Sequence, residues 1–214
     1  MTAAPSPRPE HRSRARTWAW GVLAAAAALL TLVAFARALL RHDAPPVIAQ
    51  LPAFSLVDSG GRAVTADDLR GKAWVADFIF TRCGGACPTL TARMAALRRD
   101  MPPDVAFVSI TVDPAHDTPE VLAAYARRAG AESNWLFLTG ERDALYRLAL
   151  EGFKLGVEEV PPERQAAGDG PFLHSSHFVL VDGRGRVRGY YDSTEEEARQ
   201  RLRRDLQAVR KERA

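Results

Sequence analysis

Both cysteines of the chain lie in one short stretch, residues 78–88, with the sequence FIFTRCGGACP. The apolar run Trp74–Phe80 is typical of a buried strand, and Leu90–Arg99 is rich in helix-forming residues. The sequence therefore predicts a strand, then a glycine-rich turn that carries Cys83 and Cys87, then a helix. A chain built around this unit has to form a sheet with helices packed against it.

Cys83 and Cys87 are four residues apart at the expected start of this helix. If the turn is already helical, their side chains lie one above the other on the same face. The positive end of a helix dipole favours the thiolate, which is both a nucleophile and a soft metal ligand. The pair can therefore close a disulfide or share one metal ion. The alternative is a structural disulfide or two inert buried thiols.

Strand and helix patterns alternate along the rest of the chain. Val105–Val112 is expected to form a second central strand, and Pro119–Arg128 a helix. Phe153–Val157 is expected to form a short strand, a polar loop follows, and a closing hairpin leads into a charged helix at Thr194–Arg213. The pattern predicts an α/β fold, with a central mixed sheet flanked by helices, over residues 51–214.

The N-terminal segment has a composition of its own. The first 36 residues carry all of the formal charge of +3, because four arginines outnumber one glutamate there. Residues 17–36 contain no charged side chain, and a helix of that length spans the core of a bilayer. We expect a disordered, basic, cytoplasmic tail at 1–16, a transmembrane anchor at 17–40 and a linker at 41–50.

A cleaved signal peptide is the rival interpretation of this segment, since Ala34-Phe35-Ala36 resembles a cleavage site. Both interpretations place the thiols outside the cytoplasm, where a partner or a metal must keep them reduced. The anchored form predicts a single-pass protein of the cytoplasmic (inner) membrane with a periplasmic C-terminal domain. No basic face with interleaved aromatic residues is evident in the sequence, so nucleic acid is not an expected partner.

Three acidic residues could contribute to the chemistry. Asp77 lies in the middle of the apolar strand, where burial would raise its pKa and allow proton exchange with a thiol. The alternative is an acid paired with the backbone or with Lys72. Asp113 is expected at the carboxyl end of the second central strand, where α/β sheets build their sites. Asp117 or Thr118 is expected to cap the next helix.

His174 and His177 precede another apolar strand. Imidazole is a common ligand beside thiolates, so either histidine could complete a metal site. Positions 174 and 177 of a strand point to opposite faces, so one site would take only one of them, and periodicity does not choose between them. His116 is expected to be a solvated loop residue.

Three blocks of the sequence resemble the Sco (SenC/PrrC) family of thioredoxin-fold copper proteins. FTRCGGACP at 80–88 is similar to the family's C-x-x-x-C-P motif, TVDPAHDTP at 111–119 to its V-D-P-x-x-D-T-P motif, and LHSSHFVLVD at 173–182 to the segment with its ligand histidine. That histidine precedes Ser or Thr in the family, a pattern that His174 fits and His177 does not. Gly84 departs from the family's usual proline, and Asp77 is more like the buried acid of thioredoxins.

The resemblance implies a membrane-anchored, thioredoxin-like domain that delivers copper, or electrons, during assembly of the binuclear copper centre of cytochrome c oxidase. It implies that Cys83, Cys87 and His174 bind the copper, as Cu(I) or Cu(II). The implied partners are the copper-centre subunit of the oxidase and other periplasmic copper chaperones or thiol reductants.

The alternative function is a thiol–disulfide oxidoreductase that reduces the cysteines of a partner. Cys83 would then be the attacking thiolate, Cys87 the resolving thiol and Asp77 a proton relay. A peroxidase is a third interpretation. It would need a basic group beside the thiolate, and Arg82 is the only adjacent candidate.

Overall fold

The computed structural model describes residues 11–39, 43–156, 158–159, 172–173 and 176–212. They fall into two compact units, which divide between residues 42 and 43. The first contains one helix, α1 (His11–Leu39), which includes the whole uncharged run at 17–36. Because α1 begins at His11, the prediction of disorder up to residue 16 is wrong from that residue onward. Among the helices of the described residues, none has the length and apolarity that a membrane span requires.

The second unit begins at Asp43 and is an α/β domain. Its strands are β1 (Ala49–Gln50), β2 (Ser55–Asp58), β3 (Ala63–Thr65), β4 (Trp74–Ile79), β5 (Ala106–Thr111), β6 (Trp135–Thr139), β7 (Glu158–Glu159), β8 (Phe172–Leu173), β9 (His177–Val181) and β10 (Arg186–Asp192). Its helices are α2 (Ala86–Arg99), α3 (Pro119–Ala129), α4 (Arg142–Arg147) and α5 (Glu196–Lys211). The short strands β7 and β8 pair with each other, and the other eight form one sheet.

The eight-stranded sheet has the order β1-β10-β9-β4-β5-β6-β2-β3. Strands β4, β5 and β6 are parallel, and β9 pairs with β4 in the antiparallel sense. Every residue of β4 and of β5 is buried, as the continuous apolar runs predict for strands that are covered on both faces. The predicted mixed α/β sheet is therefore confirmed.

Strand direction brings three segments to one edge of the sheet. Parallel strands β4 and β5 both end there, so the turn at 80–85 and the segment at 112–118 lie side by side. A hydrogen bond from Val112 N to Ile79 O, at 2.9 Å, links the two strand ends directly. Strand β9 runs the other way and therefore starts at the same edge. We refer to this edge, where β4 and β5 end and β9 begins, as the thiol edge.

Two local predictions differ from the structure. Helix α2 begins at Ala86, four residues before the predicted start, and so includes Cys87. Residues 153–156 do not form the predicted strand; they follow a single wide helical turn, Leu148–Gly152, that extends α4. Phe153 is buried after this turn and packs edge-on against the rings of Trp74 and Phe78. Its apolar character therefore reflects a core contact and not a strand.

The residues just before β2 are held against the domain. Pro45 O accepts a hydrogen bond from Arg188 Nε at 2.8 Å, and Ile48 N donates to Val187 O at 2.9 Å. Strand β1 then pairs with β10. Residues 45–50, part of the predicted linker, therefore belong to the domain surface.

Candidate functional site

Cys83 and Cys87 meet at the thiol edge, and both are in the reduced, thiol form. The backbone N–H of Cys87 donates a hydrogen bond to Cys83 Sγ at 3.3 Å. Helix α2 has Gly85 as its N-cap, which offers no side chain to accept hydrogen bonds from the first turn. The sulfur of Cys83 therefore performs part of the capping function, and this contact holds it over the start of the helix.

The two thiols have different surroundings. Cys83 is 9% exposed and is followed by the exposed residues 84–86, whereas Cys87 is fully buried. Burial raises the pKa of the Cys87 thiol well above its usual value, and the charges of Cys83 and Asp77 raise it further. The prediction that the helix N-terminus favours a thiolate is therefore wrong for Cys87, because loss of solvent outweighs the dipole.

Asp77 is fully buried in β4, near enough to Cys87 for its charge to raise the pKa of that thiol. Burial raises the pKa of this carboxyl to about 7. In the part of the chain that the structure describes, neither of its carboxylate oxygens has a hydrogen-bond partner. Ser109 lies beside it in β5, where its Oγ accepts a hydrogen bond from Trp135 Nε1 at 3.0 Å. The alternative of an acid paired with Lys72 or the backbone is therefore wrong.

Asp113 lies just after β5 and is almost fully buried. Its Oδ2 accepts hydrogen bonds from Nε and Nη2 of Arg82, at 2.9 and 2.6 Å. Arg82 directly precedes Cys83, so this ion pair links the β5–α3 segment to the thiol turn. Because Asp113 holds the guanidinium, Arg82 is not a free base beside the thiol, as the peroxidase interpretation would require.

Asp117 is also fully buried, and it contacts the same turn. Thr118, and not Asp117, caps α3, since its side chain accepts a hydrogen bond from Val121 N. Asp117 instead accepts hydrogen bonds from Thr81 and Thr111. The role of Thr81 was not predicted from the sequence. The signal that could have suggested it was the occurrence of Thr81 and Asp117 in two motif blocks at neighbouring strand ends.

Two of the three candidate histidines, His116 and His177, lie among the described residues. His177 begins β9 and pairs in register with Asp192 of β10. Hydrogen bonds from Thr194 lower the pKa of Asp192, and the charge of His177 lowers it further. His116 is exposed in the β5–α3 segment, and His174 lies outside the described residues.

Within the described ranges, no group of three or more His, Cys, Asp or Glu side chains is arranged to hold a metal ion. The described part of the site thus contributes two sulfur donors, Cys83 and Cys87. They can close a disulfide with each other, exchange with a partner's disulfide, or provide two soft ligands.

A parallel strand that ends in a two-thiol turn at the start of a helix, within a mixed sheet, defines a thioredoxin-like α/β domain. The sequence profile of the SCO1/SenC family matches residues 44–209, and the chain belongs to this family. The resemblance noted from the three motif blocks is therefore confirmed.

Known proteins agree with this assignment. The SCO1 protein homolog of Bacillus subtilis is 34% identical over 155 residues, covering 70% of this chain and 77% of the relative. BsSco is a member of the Sco family of cytochrome c oxidase assembly proteins and has a disulfide switch. Its sequence is 29% identical to this chain. It superposes with a TM-score of 0.68 over 79% of this chain and 98% of its own. Copper-bound ScoI of Bradyrhizobium japonicum is 26% identical, with a TM-score of 0.59 over 73% and 99% of the two chains.

Proposed function

We propose that this protein is a copper chaperone for assembly of the binuclear copper centre of cytochrome c oxidase. Copper is its cargo, bound by Cys83, Cys87 and His174. The observation that carries the proposal is the pair of thiols on one turn, with Cys87 N–H bonded to Cys83 Sγ at 3.3 Å. The copper-bound relative from Bradyrhizobium japonicum and the assembly role given for BsSco support it.

The donor set suits this cargo. Two thiolates and one imidazole are ligands that Cu(I) accepts, with a further ligand possible for Cu(II). A thiol must lose its proton to bind a metal, and burial raises the pKa of Cys87. Copper binding is therefore expected to release protons and to become weaker as pH falls. His174 comes shortly before β9, which starts at the thiol edge.

Copper binding by the reduced full chain, purified in mild detergent without oxygen, tests the proposal. We expect one copper per chain and an X-ray absorption spectrum with two sulfurs and one nitrogen. Cys87→Ser and His174→Ala should each abolish tight binding, and the matched control His177→Ala should retain it. Full copper occupancy in Cys87→Ser would refute the ligand set.

A membrane-anchored thiol–disulfide oxidoreductase is the second candidate. It is favoured by the unequal burial of the thiols and by the unpaired carboxylate of Asp77. The Cys83 thiolate would attack a partner's disulfide and release one of its sulfurs as a thiol. Cys87 would then attack the mixed disulfide and release the second sulfur, while Asp77 accepts the proton of Cys87. The partner gains two electrons, and the Cys83–Cys87 pair is oxidised to a disulfide.

His174→Ala separates the two candidates. A chaperone loses copper with this substitution, whereas an oxidoreductase still reduces a disulfide-bonded peptide at the wild-type rate. Asp77→Asn has the opposite pattern: it leaves copper stoichiometry unchanged and slows disulfide reduction. Slowed exchange in Asp77→Asn together with unaltered copper binding in His174→Ala would favour the oxidoreductase.

The protein's location forms part of the proposal. The uncharged run at 17–36 anchors the chain in the cytoplasmic membrane, with the arginine-rich N-terminus in the cytoplasm and the domain in the periplasm. There the domain can reach the copper-centre subunit, with other copper chaperones or thiol reductants as suppliers. Protease added outside spheroplasts should degrade the domain, whereas protection of the domain would contradict this topology.

A further inference from the structure

The turn that carries Cys83 contains two consecutive glycines, Gly84 and Gly85, and both are exposed. Glycine gives the backbone more conformational freedom than any other residue. The position of Cys83 therefore depends on contacts made by the residues on either side of the glycines. On the helix side, the contact is the hydrogen bond between Cys87 N–H and Cys83 Sγ.

On the strand side, Cys83 N donates a hydrogen bond to Phe80 O at 3.3 Å, and Arg82 pairs with Asp113. A further set of contacts comes from Asp117. Its Oδ2 accepts a hydrogen bond from the backbone N–H of Thr81 at 3.0 Å, and its Oδ1 accepts one from Thr81 Oγ1 at 2.5 Å. Both groups of Thr81 are thus held by one carboxylate from a segment 36 residues away. Thr81 is two residues before Cys83, where the chain leaves β4.

Asp117 is itself held in place. Its Oδ2 also accepts a hydrogen bond from Thr111 Oγ1 at 2.6 Å, and the same hydroxyl oxygen accepts one from Asp113 N at 3.0 Å. The carboxylate is fully buried and has three donors around it. A buried charge with this many hydrogen bonds is a rigid anchor, because any displacement leaves part of it unpaired.

The geometry points to Asp117 as a positioning residue for the thiol pair: through Thr81 it fixes the direction in which Cys83 leaves β4, and so keeps its sulfur over Cys87. The inference rests on the proposed function only in taking Cys83 and Cys87 as the working thiols. In the contacts described above, Asp117 touches neither thiol. It therefore acts on the distance between the two sulfurs through Thr81, and not by direct contact with them.

Closure of the Cys83–Cys87 disulfide in glutathione buffers measures this effect. Two thiols lose two protons and two electrons, and one oxidised glutathione becomes two reduced glutathione molecules. With the full chain in mild detergent, Asp117→Asn should lower the equilibrium constant for closure about tenfold, because thiols that are no longer held together react less favourably. The reduced fraction is read by alkylation and mass spectrometry.

Thr118→Ala is the matched control, because it removes the cap of α3 at the next residue without touching Thr81. It should lower thermal stability and leave the closure constant within about twofold of wild type. Thr81→Val removes one hydrogen bond to Asp117 without changing the charge, and it should lower the constant about threefold. If Asp117→Asn does not fold, Thr81→Val decides the question.

The inference is overturned if Asp117→Asn closes like the wild type, or if Thr118→Ala shifts the constant equally. It is also overturned if Asp117→Asn shifts the constant and Thr81→Val does not, since the effect would then be one of charge. None of these measurements uses copper. Absence of copper binding in the wild type would therefore refute the chaperone function and leave this result intact.

Discussion

Two buried regions of the domain differ in whether their charged groups have hydrogen-bond partners. At the edge of the sheet away from the thiols, the Arg188 guanidinium donates to Asp182, Glu212 and the Pro45 carbonyl at 2.5 to 2.9 Å. In β4, the Asp77 carboxylate is fully buried, and its oxygens have no hydrogen-bond partner among the described residues. The paired region joins three parts of the chain, whereas the unpaired acid can only cost stability when it ionises.

This difference indicates that the Arg188 cluster stabilises the fold and that Asp77 takes part in the chemistry of the thiol site. Burial acts to raise the pKa of Asp182, but hydrogen bonds from Arg186, Arg188 and the backbone lower it overall, so this acid stays charged. For Asp77 burial outweighs the opposing effect of Ser109, and the pKa is raised to about 7. Groups with strongly shifted pKa values occur preferentially at functional sites. We therefore expect the two regions to respond to mutation with opposite signs.

The largest expected effect is the gain in stability on neutralising Asp77. In the unfolded chain this acid ionises near 3.8, and in the folded chain near 7, so the wild type loses stability as pH rises between these values. Asp77→Asn removes this loss. The free energy of unfolding of the variant, measured relative to that of the wild type, should therefore be about 4 kcal/mol higher at pH 8 than at pH 4, which means a relative gain in stability.

Urea unfolding at both pH values, followed by tryptophan fluorescence, measures this difference. Asp117→Asn is the matched control, because it makes the same substitution at a fully buried acid that has three donors. It should lose stability at both pH values. A gain for Asp77→Asn that does not change with pH would show that Asp77 does not titrate in this range.

The next effect is the loss of the paired cluster. Arg188→Met should lower the free energy of unfolding by about 3 kcal/mol, because it leaves the buried Asp182 and the Pro45 carbonyl without their shared donor. Arg70→Met makes the same change in an exposed ion pair with Asp67 and should leave unfolding unchanged within error. Equal losses in both variants would mean that burial of the Arg188 cluster adds nothing.

The sequence predicted what depends on local pattern. The apolar run of β4, the two-thiol turn and the helix after it are all present, because strand burial and helix propensity act over a few residues. The insertion of β9 beside β4, and the contact of Asp117 with Thr81, join residues far apart in sequence. Such contacts leave no periodic signal. The pKa of Cys87 was predicted in the wrong direction because burial is a property of the packed domain.

The smallest expected effect comes from two tyrosines. Their neutral hydroxyl groups allow the same comparison between a buried polar group that has a hydrogen-bond partner and one that has none. Tyr125 Oη and Thr91 Oγ1 share a buried hydrogen bond at 2.9 Å, whereas the buried hydroxyl of Tyr146 has no partner among the described residues. Tyr125→Phe should cost about 1 kcal/mol of unfolding free energy, because it leaves the Thr91 hydroxyl without that partner. Tyr146→Phe keeps the ring that packs against Arg142 and should cost nothing or stabilise slightly. Urea unfolding at pH 7 compares them directly, and a larger loss for Tyr146→Phe would contradict the view that pairing decides the cost of a buried polar group.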